Sequence, residues 1–435
     1  MTEPARPLTA SEKPFFSWMD EPRLSAIIDA LEGARPDAVR FVGGCVRDSL
    51  LGAWADKSQP TGLTSKTDID AATTLTPDQV MDLLGKAGIK TIPTGLDHGT
   101  VTAVHQGRVV EITTLRRDVA TDGRRATIAY TDDWHADAAR RDFTINALYV
   151  TPAGVLHDEA GGLDDLRAGR VVFIGDAKTR IAEDYLRILR FIRFSARFAG
   201  TFAGTFDGTG LLAITAMVAG LKTLSAERVA AELMKILALP RALMATETMA
   251  EAGILNAIWP TPARLDLARR LDAVAPAATN LAWLTALYPD DYRPLARRLR
   301  LSKKEQAKML AMVTAAKALT DTAAPALVDE RRARQVIYHH GPDVWPDALA
   351  LYAALTGQGA SAIAPLRDFA AHWTAPKFPI KGGDLIKRGL KPGPLVSWAL
   401  TTIEERWIAE DFPGISALEV LVEAVLTPLL DKPAP

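Results

Sequence analysis

The run Lys66-Thr-Asp-Ile-Asp-Ala-Ala-Thr73 places Asp68 and Asp70 two residues apart. In a β-strand alternate side chains share a face, so the two carboxylates would project together, about 6.5–7 Å apart. Hard oxygen ligands at that spacing suit Mg²⁺ ions held against a phosphate chain. By itself an Asp-x-Asp pair serves equally as a turn or a solvated strand edge, so the neighbouring motifs decide. Upstream lies Arg40-Phe-Val-Gly-Gly-Cys-Val-Arg-Asp, which predicts a short apolar strand, a Gly43-Gly44 turn and a helix carrying Arg47 and Asp48. Glycines let the backbone come close to a ligand, and a helix N-terminus offers free N–H groups to an anion. From there Arg47 would reach a triphosphate. The plainer reading is a tight turn with a surface Arg–Asp pair, and the acidic strand just downstream favours phosphate binding.

A third carboxylate would complete such a metal site. The segments 98–104 and 107–114 alternate as a hairpin does, and Glu111 is a charge set among Val109, Val110 and Ile112. A lone Glu there could guard an edge strand against aggregation. Beside the Asp68/Asp70 strand it would instead complete the triad and polarise an attacking hydroxyl. Further on, Arg140-Arg-Asp-Phe-Thr-Ile-Asn-Ala-Leu148 opens with adjacent arginines, which alone would suggest only a solvated helix start. Residues 183–197 are expected as one helix, with Asp184, Arg187, Arg190, Arg193 and Arg197 recurring at three- and four-residue intervals as a polar stripe. Such a stripe is ordinarily a salt-bridged solvent face.

Taken in order, these motifs, with Gly161-Gly-Leu-Asp-Asp-Leu166 and Leu224-Ser-Ala-Glu-Arg-Val-Ala-Ala-Glu-Leu233, resemble class II of the polymerase β nucleotidyltransferase superfamily. That class holds the CCA-adding enzymes (tRNA nucleotidyltransferases) and bacterial poly(A) polymerases. The resemblance spans some 190 residues and implies an α+β fold: a nucleotidyltransferase head with a mixed β-sheet and flanking helices, followed by an all-α neck, body and tail. It implies Asp68, Asp70 and Glu111 as catalytic residues, with Mg²⁺ on Asp68 and Asp70. Gly43, Gly44, Arg47, Arg141, Asp184, Arg187, Arg190 and Arg193 would bind nucleotide, and Asp142 and Asn146 would fix their loop by local hydrogen bonds. Asp184 and Arg187 are then the base selectors. A carboxylate accepts from the exocyclic amino group of cytosine or adenine, and a guanidinium donates to a ring acceptor. Uracil and guanine present a carbonyl where the amino group should be, leaving the carboxylate unpaired. CTP and ATP would be taken without a template.

The tail, from Lys381-Gly-Gly-Asp-Leu-Ile-Lys-Arg-Gly-Leu-Lys-Pro-Gly-Pro394 through Glu404-Glu-Arg-Trp-Ile-Ala-Glu-Asp411, resembles the CCA-adding branch, in which a Gly-Pro turn launches a helix near bound tRNA. A hairpin that merely closes a helical bundle fits the same residues. The chain ends without a basic run, unlike many poly(A) polymerases. Three alternatives stay open: poly(A) polymerase, an enzyme restricted to CC or A addition, and an inactive RNA-binding descendant.

Residues so far apart in the chain need an ordered scaffold to bring them together. Residues 1–21 are expected as a loose leader, 22–172 as the head, 173–260 as a helical neck with the base-selecting motif, and 261–435 as a helical body and tail that binds tRNA. The polar run 116–125 is expected as a surface loop, tied by the resemblance to the switch from C to A addition. The Gly/Pro/Ser/Thr-rich insert 55–65 lengthens the loop before Asp68, and the tract 200–210 is expected as a loop between helices. Helices are predicted over 221–239, 301–319, 328–339, 347–355 and 395–409. With 435 residues, 48% of them apolar, the chain can bury more than one core. No run of about twenty uncharged apolar residues offers a membrane span, and the first 17 residues lack a signal-peptide core. One cysteine, Cys45, excludes internal disulfides and Cys-based zinc sites and fits a reducing cytoplasm. A net charge of −1 is neutral toward RNA binding. No obligate protein partner is evident.

Overall fold

The computed structural model describes residues 5–54, 69–122, 125–198, 206–320 and 328–430. Asp68, the 55–65 insert and most of the 200–210 tract lie outside them. The chain divides into two compact units, Met1–Pro260 and Thr261–Pro435.

The first unit is built on a sheet of eight strands: β1 (Arg6–Pro7), β2 (Val39–Val42), β3 (Ile69–Thr73), β4 (Lys90–Gly95), β5 (Thr100–His105), β6 (Arg108–Thr114), β9 (Leu148–Val150) and β10 (Val155–Asp158), in the order β1-β10-β9-β2-β3-β6-β5-β4. A separate two-stranded ribbon pairs β7 (Arg116–Asp122) with β8 (Arg125–Tyr130). Among the described strand pairs only β3 and β6 run parallel, the rest antiparallel, so the sheet is mixed. The predicted hairpin of β5 and β6 turns on Gln106 and Gly107, both at positive φ, the two-residue geometry whose twist matches the strands it joins.

Helices α1 (Pro22–Glu32) and α3 (Pro77–Lys86) pack on β5, while α2 (Gly44–Trp54) packs on β2, β3 and β9. The N-terminus of α3 is closed by a Thr76–Gln79 capping box. Beyond α4 (Trp134–Ala139) and α5 (Gly162–Arg167) the unit turns helical: α6 (Ala177–Glu183), α7 (Leu186–Phe198), α8 (Gly208–Met217) and α9 (Ala226–Leu237), then Ala242–Glu251 and Ile254–Ile258. Ile188, Leu189, Phe191, Ile192 and Phe194 bury one side of α7, leaving the arginines on the other.

Several expectations need correction. The N-terminal leader is not loose over its described residues, from residue 5 on. β1 extends the sheet edge, and a 3₁₀ turn over Lys13–Asp20 buries Phe16 and Trp18, whose indole N–H donates to Ser49 Oγ at 2.9 Å. Burial would raise the Glu12 carboxyl, but Arg6 and the Thr9 amide override it and hold it down at about 2. The 183–197 helix is two helices: α6 ends at Glu183, and Asp184 sits in extended conformation with its Oδ1 accepting from Leu186 N at 3.1 Å. A short Asp side chain satisfies a new helix start better than a helix interior. The 221–239 helix likewise splits, a 3₁₀ turn (Val218–Thr223) giving way to α9 capped by Ser225. The 116–125 loop is largely strand, with 116–122 and 125–130 pairing antiparallel as β7 and β8. Gly208 to Gly210 already lie in α8, so the expected loop is shorter than the tract.

In the second unit Lys303–Thr320 and Leu265–Val274 both pack on Trp345–Thr356. The tail gathers Gly382–Lys387, Pro394–Ala409 and Ile415–Leu430 around Ile403, Trp407, Leu418 and Val422. The Gly393-Pro394 step opens the second of these helices, as predicted from the tail motif. Among the described residues no helix is long and apolar enough to cross a membrane.

Candidate active site

The parallel register of β3 and β6 sets Asp70 directly opposite Glu111. Neighbouring strands lie about 4.8 Å apart and opposed residues share a face, so these two carboxylates stand side by side. Ala72, on the same face of β3 as Asp70, is sealed into a cluster with Val42, Leu115, Ala138 and Tyr149. Asp70 is half-buried and Glu111 exposed. Asp68 precedes β3 and lies outside the described residues, within which no third His, Cys, Asp or Glu joins the pair in a metal-sized group. Gly43, at φ +75°, brings its backbone against Asp70: a Cβ there would stand 3.8 Å from Asp70 Oδ2. Cys45 is buried in the first turn of α2, its thiol pushed up to about 12 by burial. It packs, as expected, and its Sγ–H faces Val42 O at 3.3 Å.

Asp70, Gly43 and Gly44 open onto a cavity of about 520 Å³, within the roughly 300–1,000 Å³ usual for small-molecule sites. Eight arginines and three aspartates line it, an excess of positive charge suited to a polyanion. Arg47 is among them but is only 4% exposed. Its guanidinium bonds Asn146 Oδ1 at 2.5 Å and Asp48 at 2.9 Å and packs against the rings of Phe194 and Phe198. Asp142 and Asn146 fix their loop by local bonds, Asn146 Nδ2 donating to Asp142 Oδ1 at 3.0 Å. Arg190 bonds the same aspartate at 2.7 Å. Burial would raise Asp142, yet Arg190 and the Asn146 and Phe143 N–H groups hold it below the usual carboxylate range. The third motif buttresses this loop from behind. Asp165 accepts from Thr144 Oγ1 at 2.7 Å, and any Cβ on Gly162 would collide with the Thr144 carbonyl.

Arg141 and its neighbour Arg140 line the cavity, both paired with the buried Asp137. Asp184 and Arg187 line the same cavity without bonding one another. Asp184 Oδ2 takes Arg228 Nη2 at 2.8 Å, while Arg187 holds Glu183 at 2.5 Å and the Arg180 carbonyl at 2.7 Å. Arg193 pairs with Glu232 at 2.6 Å and lies over the Phe194 ring. The cavity thus collects every sequence-predicted site residue except Glu111, on the strand beside it, and Asp68. Sequence reasoning missed Asp137, three residues before the arginine pair, and Arg228, which lies 44 positions from Asp184 but inside the neck motif.

Residues 39–172 match the family described as the poly A polymerase head domain, and residues 206–265 the one described as "Probable RNA and SrmB- binding site of polymerase A". The mouse protein named CCA tRNA nucleotidyltransferase 1, mitochondrial, is 35% identical over 385 residues, covering 85% of this chain and 82% of the relative. The chain belongs to the CCA-adding tRNA nucleotidyltransferase family. The human family member bearing the same name is also 35% identical over 385 residues, with the same coverage. The solved CCA-adding enzyme of Bacillus stearothermophilus, in complex with CTP, superposes with a TM-score of 0.69 at 26% identity over 96% of this chain and 98% of that one. The Thermotoga maritima CCA-adding enzyme shares the fold, with a TM-score of 0.67 at 21% identity, over 98% of this chain and 100% of that one.

Proposed function

We propose that this enzyme adds CCA to the 3′ end of tRNA without a template, drawing on CTP and ATP and releasing pyrophosphate. The observation that carries this reading is an arginine-lined cavity that Asp70, Asp184 and Arg187 all line, with Glu111 opposite Asp70 on the next strand. Relatives named for this activity span most of the chain.

The residue roles are our assignments. The oxygen donors of Asp70 and Glu111, with Asp68 two positions before Asp70, fit a divalent cation, and Mg²⁺ bound there would supply charge neutralisation to the attacking and leaving oxygens. Glu111 orients the terminal ribose hydroxyl of tRNA and takes its proton. The hydroxyl oxygen forms a bond to the α-phosphorus as the bond to the bridging oxygen breaks, and pyrophosphate leaves. Gly43 and Gly44 let the phosphates approach the backbone, Arg47 adds charge and holds that turn, and Arg141 faces the phosphate oxygens. Asp184 and Arg187 read the base, while Arg190 and Arg193 keep that wall in place through Asp142 and Glu232. Residues 22–172 serve as the head, 173–260 as the neck, and 261–435 hold the tRNA. We place the enzyme in the cytoplasm, in keeping with one buried, unpaired cysteine; the mitochondrial location in the mouse and human names is the alternative that fractionation decides.

The test uses purified protein, tRNA lacking its 3′ CCA, and one nucleotide at a time. CTP alone should add two residues, and ATP given next should add one and stop. A run of A from ATP alone would mean poly(A) polymerase, and addition halting at CC, or only A onto CC ends, a restricted enzyme.

A further inference from the structure

Asp137 does not line the cavity, is fully buried, and accepts hydrogen bonds from three side chains. Its Oδ1 takes Arg140 through Nε at 2.8 Å and Nη2 at 2.5 Å; its Oδ2 takes Arg141 through Nε at 3.2 Å and Nη2 at 3.0 Å. Tyr149 completes the knot, donating its O–H to Oδ2 at 2.8 Å and accepting from Arg141 Nε at 3.0 Å. Trp134 packs edge-on against the Tyr149 ring and closes the floor. Each guanidinium thus spends one edge on Asp137, which leaves about three of its five N–H donors outside the knot, on residues that line the cavity.

We propose that Asp137 is a positioning residue for the triphosphate, its carboxylate locking the Arg140 and Arg141 forks in the orientation that grips phosphate oxygens and then the departing pyrophosphate. The proposal rests on the assignment of Arg141 to the phosphates. A free arginine must give up rotamer freedom when it binds a phosphate, whereas one locked beforehand binds at lower entropic cost. One carboxylate beneath two guanidiniums also leaves the pair with net positive charge for a tetra-anionic substrate. Burial would raise the Asp137 carboxyl, but Arg141 and Arg140 hold it below the usual range, so the lock stays charged at working pH.

The test is Asp137→Asn, which keeps the shape but sets an N–H₂ donor against the guanidinium donors. The Michaelis constants for CTP and ATP should rise together by about tenfold, as should the dissociation constant of inorganic tripolyphosphate measured by calorimetry. The rate at saturation should change by less than about threefold, and the preference for CTP over UTP should hold. A purely structural role would lower the active fraction, reducing the rate at saturation while leaving both constants alone; that result overturns the proposal. If Asp137→Asn does not fold, Tyr149→Phe removes the bridging hydroxyl but keeps both ion pairs. It should raise the same constants about threefold, and no rise overturns the proposal. Arg141→Ala separates the layers. Unchanged tripolyphosphate affinity there defeats the phosphate assignment itself, while loss there with none in Asp137→Asn defeats only the role of Asp137.

Discussion

Asp184→Ala gives the sharpest test of base selection. The carboxylate is already engaged twice, by Leu186 N at Oδ1 and Arg228 at Oδ2. That uses about two of its four lone-pair sites, leaving room for one amino group of cytosine. A hydrogen bond to a charged acceptor is worth about 1.5–3 kcal/mol net, and facing the carboxylate with the uracil carbonyl leaves both acceptors unpaired for a further 1–3 kcal/mol or so. The Asp184 side chain keeps 32% of its surface exposed, so water recovers part of that loss. The lower half of the range, about 2.5–4 kcal/mol, corresponds to roughly 10²- to 10³-fold preference for CTP over UTP. Removing the carboxylate should collapse the ratio to within about tenfold of unity, since Arg187 alone still donates to an acceptor common to both pyrimidines. The assay compares kcat/KM for CTP and UTP on tRNA lacking CCA, with Asp184→Asn as a second variant whose amide can meet the uracil carbonyl. An unchanged ratio in both variants would refute the base-reading assignment.

Three further outcomes are expected. Asp70→Asn should lower the transfer rate about 10³-fold while tRNA affinity, read by filter binding, stays put; an enzyme indifferent to it would not use this strand for chemistry. Trp18→Ala should cost about 3–5 kcal/mol in urea unfolding of the full chain, because the indole is buried against α2 and bonded to Ser49, whereas a loose leader would show no loss. Asp142, held below its ordinary value by Arg190, contributes stability that is full above the unfolded carboxyl range near pH 4 and is lost as pH falls through the lower folded value. Asp142→Asn should therefore cost about 1–3 kcal/mol at pH 7, less than a fully buried pair because the Arg190 side chain keeps 32% of its surface exposed, and flatten the acid limb of the stability profile, as followed by denaturant melts from pH 7 to pH 3.

Much of the site was legible because its signals are local. The Gly43-Gly44 turn, the alternation of β5 and β6 and the arginine spacing on α7 each repeat within one element, where period and turn chemistry dictate conformation. The sequence, with the resemblance its motifs carry, therefore marked a strand-and-helix head followed by helices, and it marked the carboxylate and arginines that the fold gathers at one cavity, with Glu111 on the strand beside it. It could not determine who holds them. The opposition of Asp70 and Glu111 depends on a parallel pairing across 41 positions, and the Arg228–Asp184, Arg193–Glu232 and Arg190–Asp142 pairs join residues 39 to 48 apart. Choosing among eight cavity arginines and their acidic partners is a matter of which side chains burial brings within about 3 Å, and no periodicity encodes that. The same reason hid the packed N-terminal segment: Phe16 and Trp18 disclose an apolar need, but only the groove left by α2 and β2 satisfies it. Local chemistry names the parts, and long-range burial decides their partners.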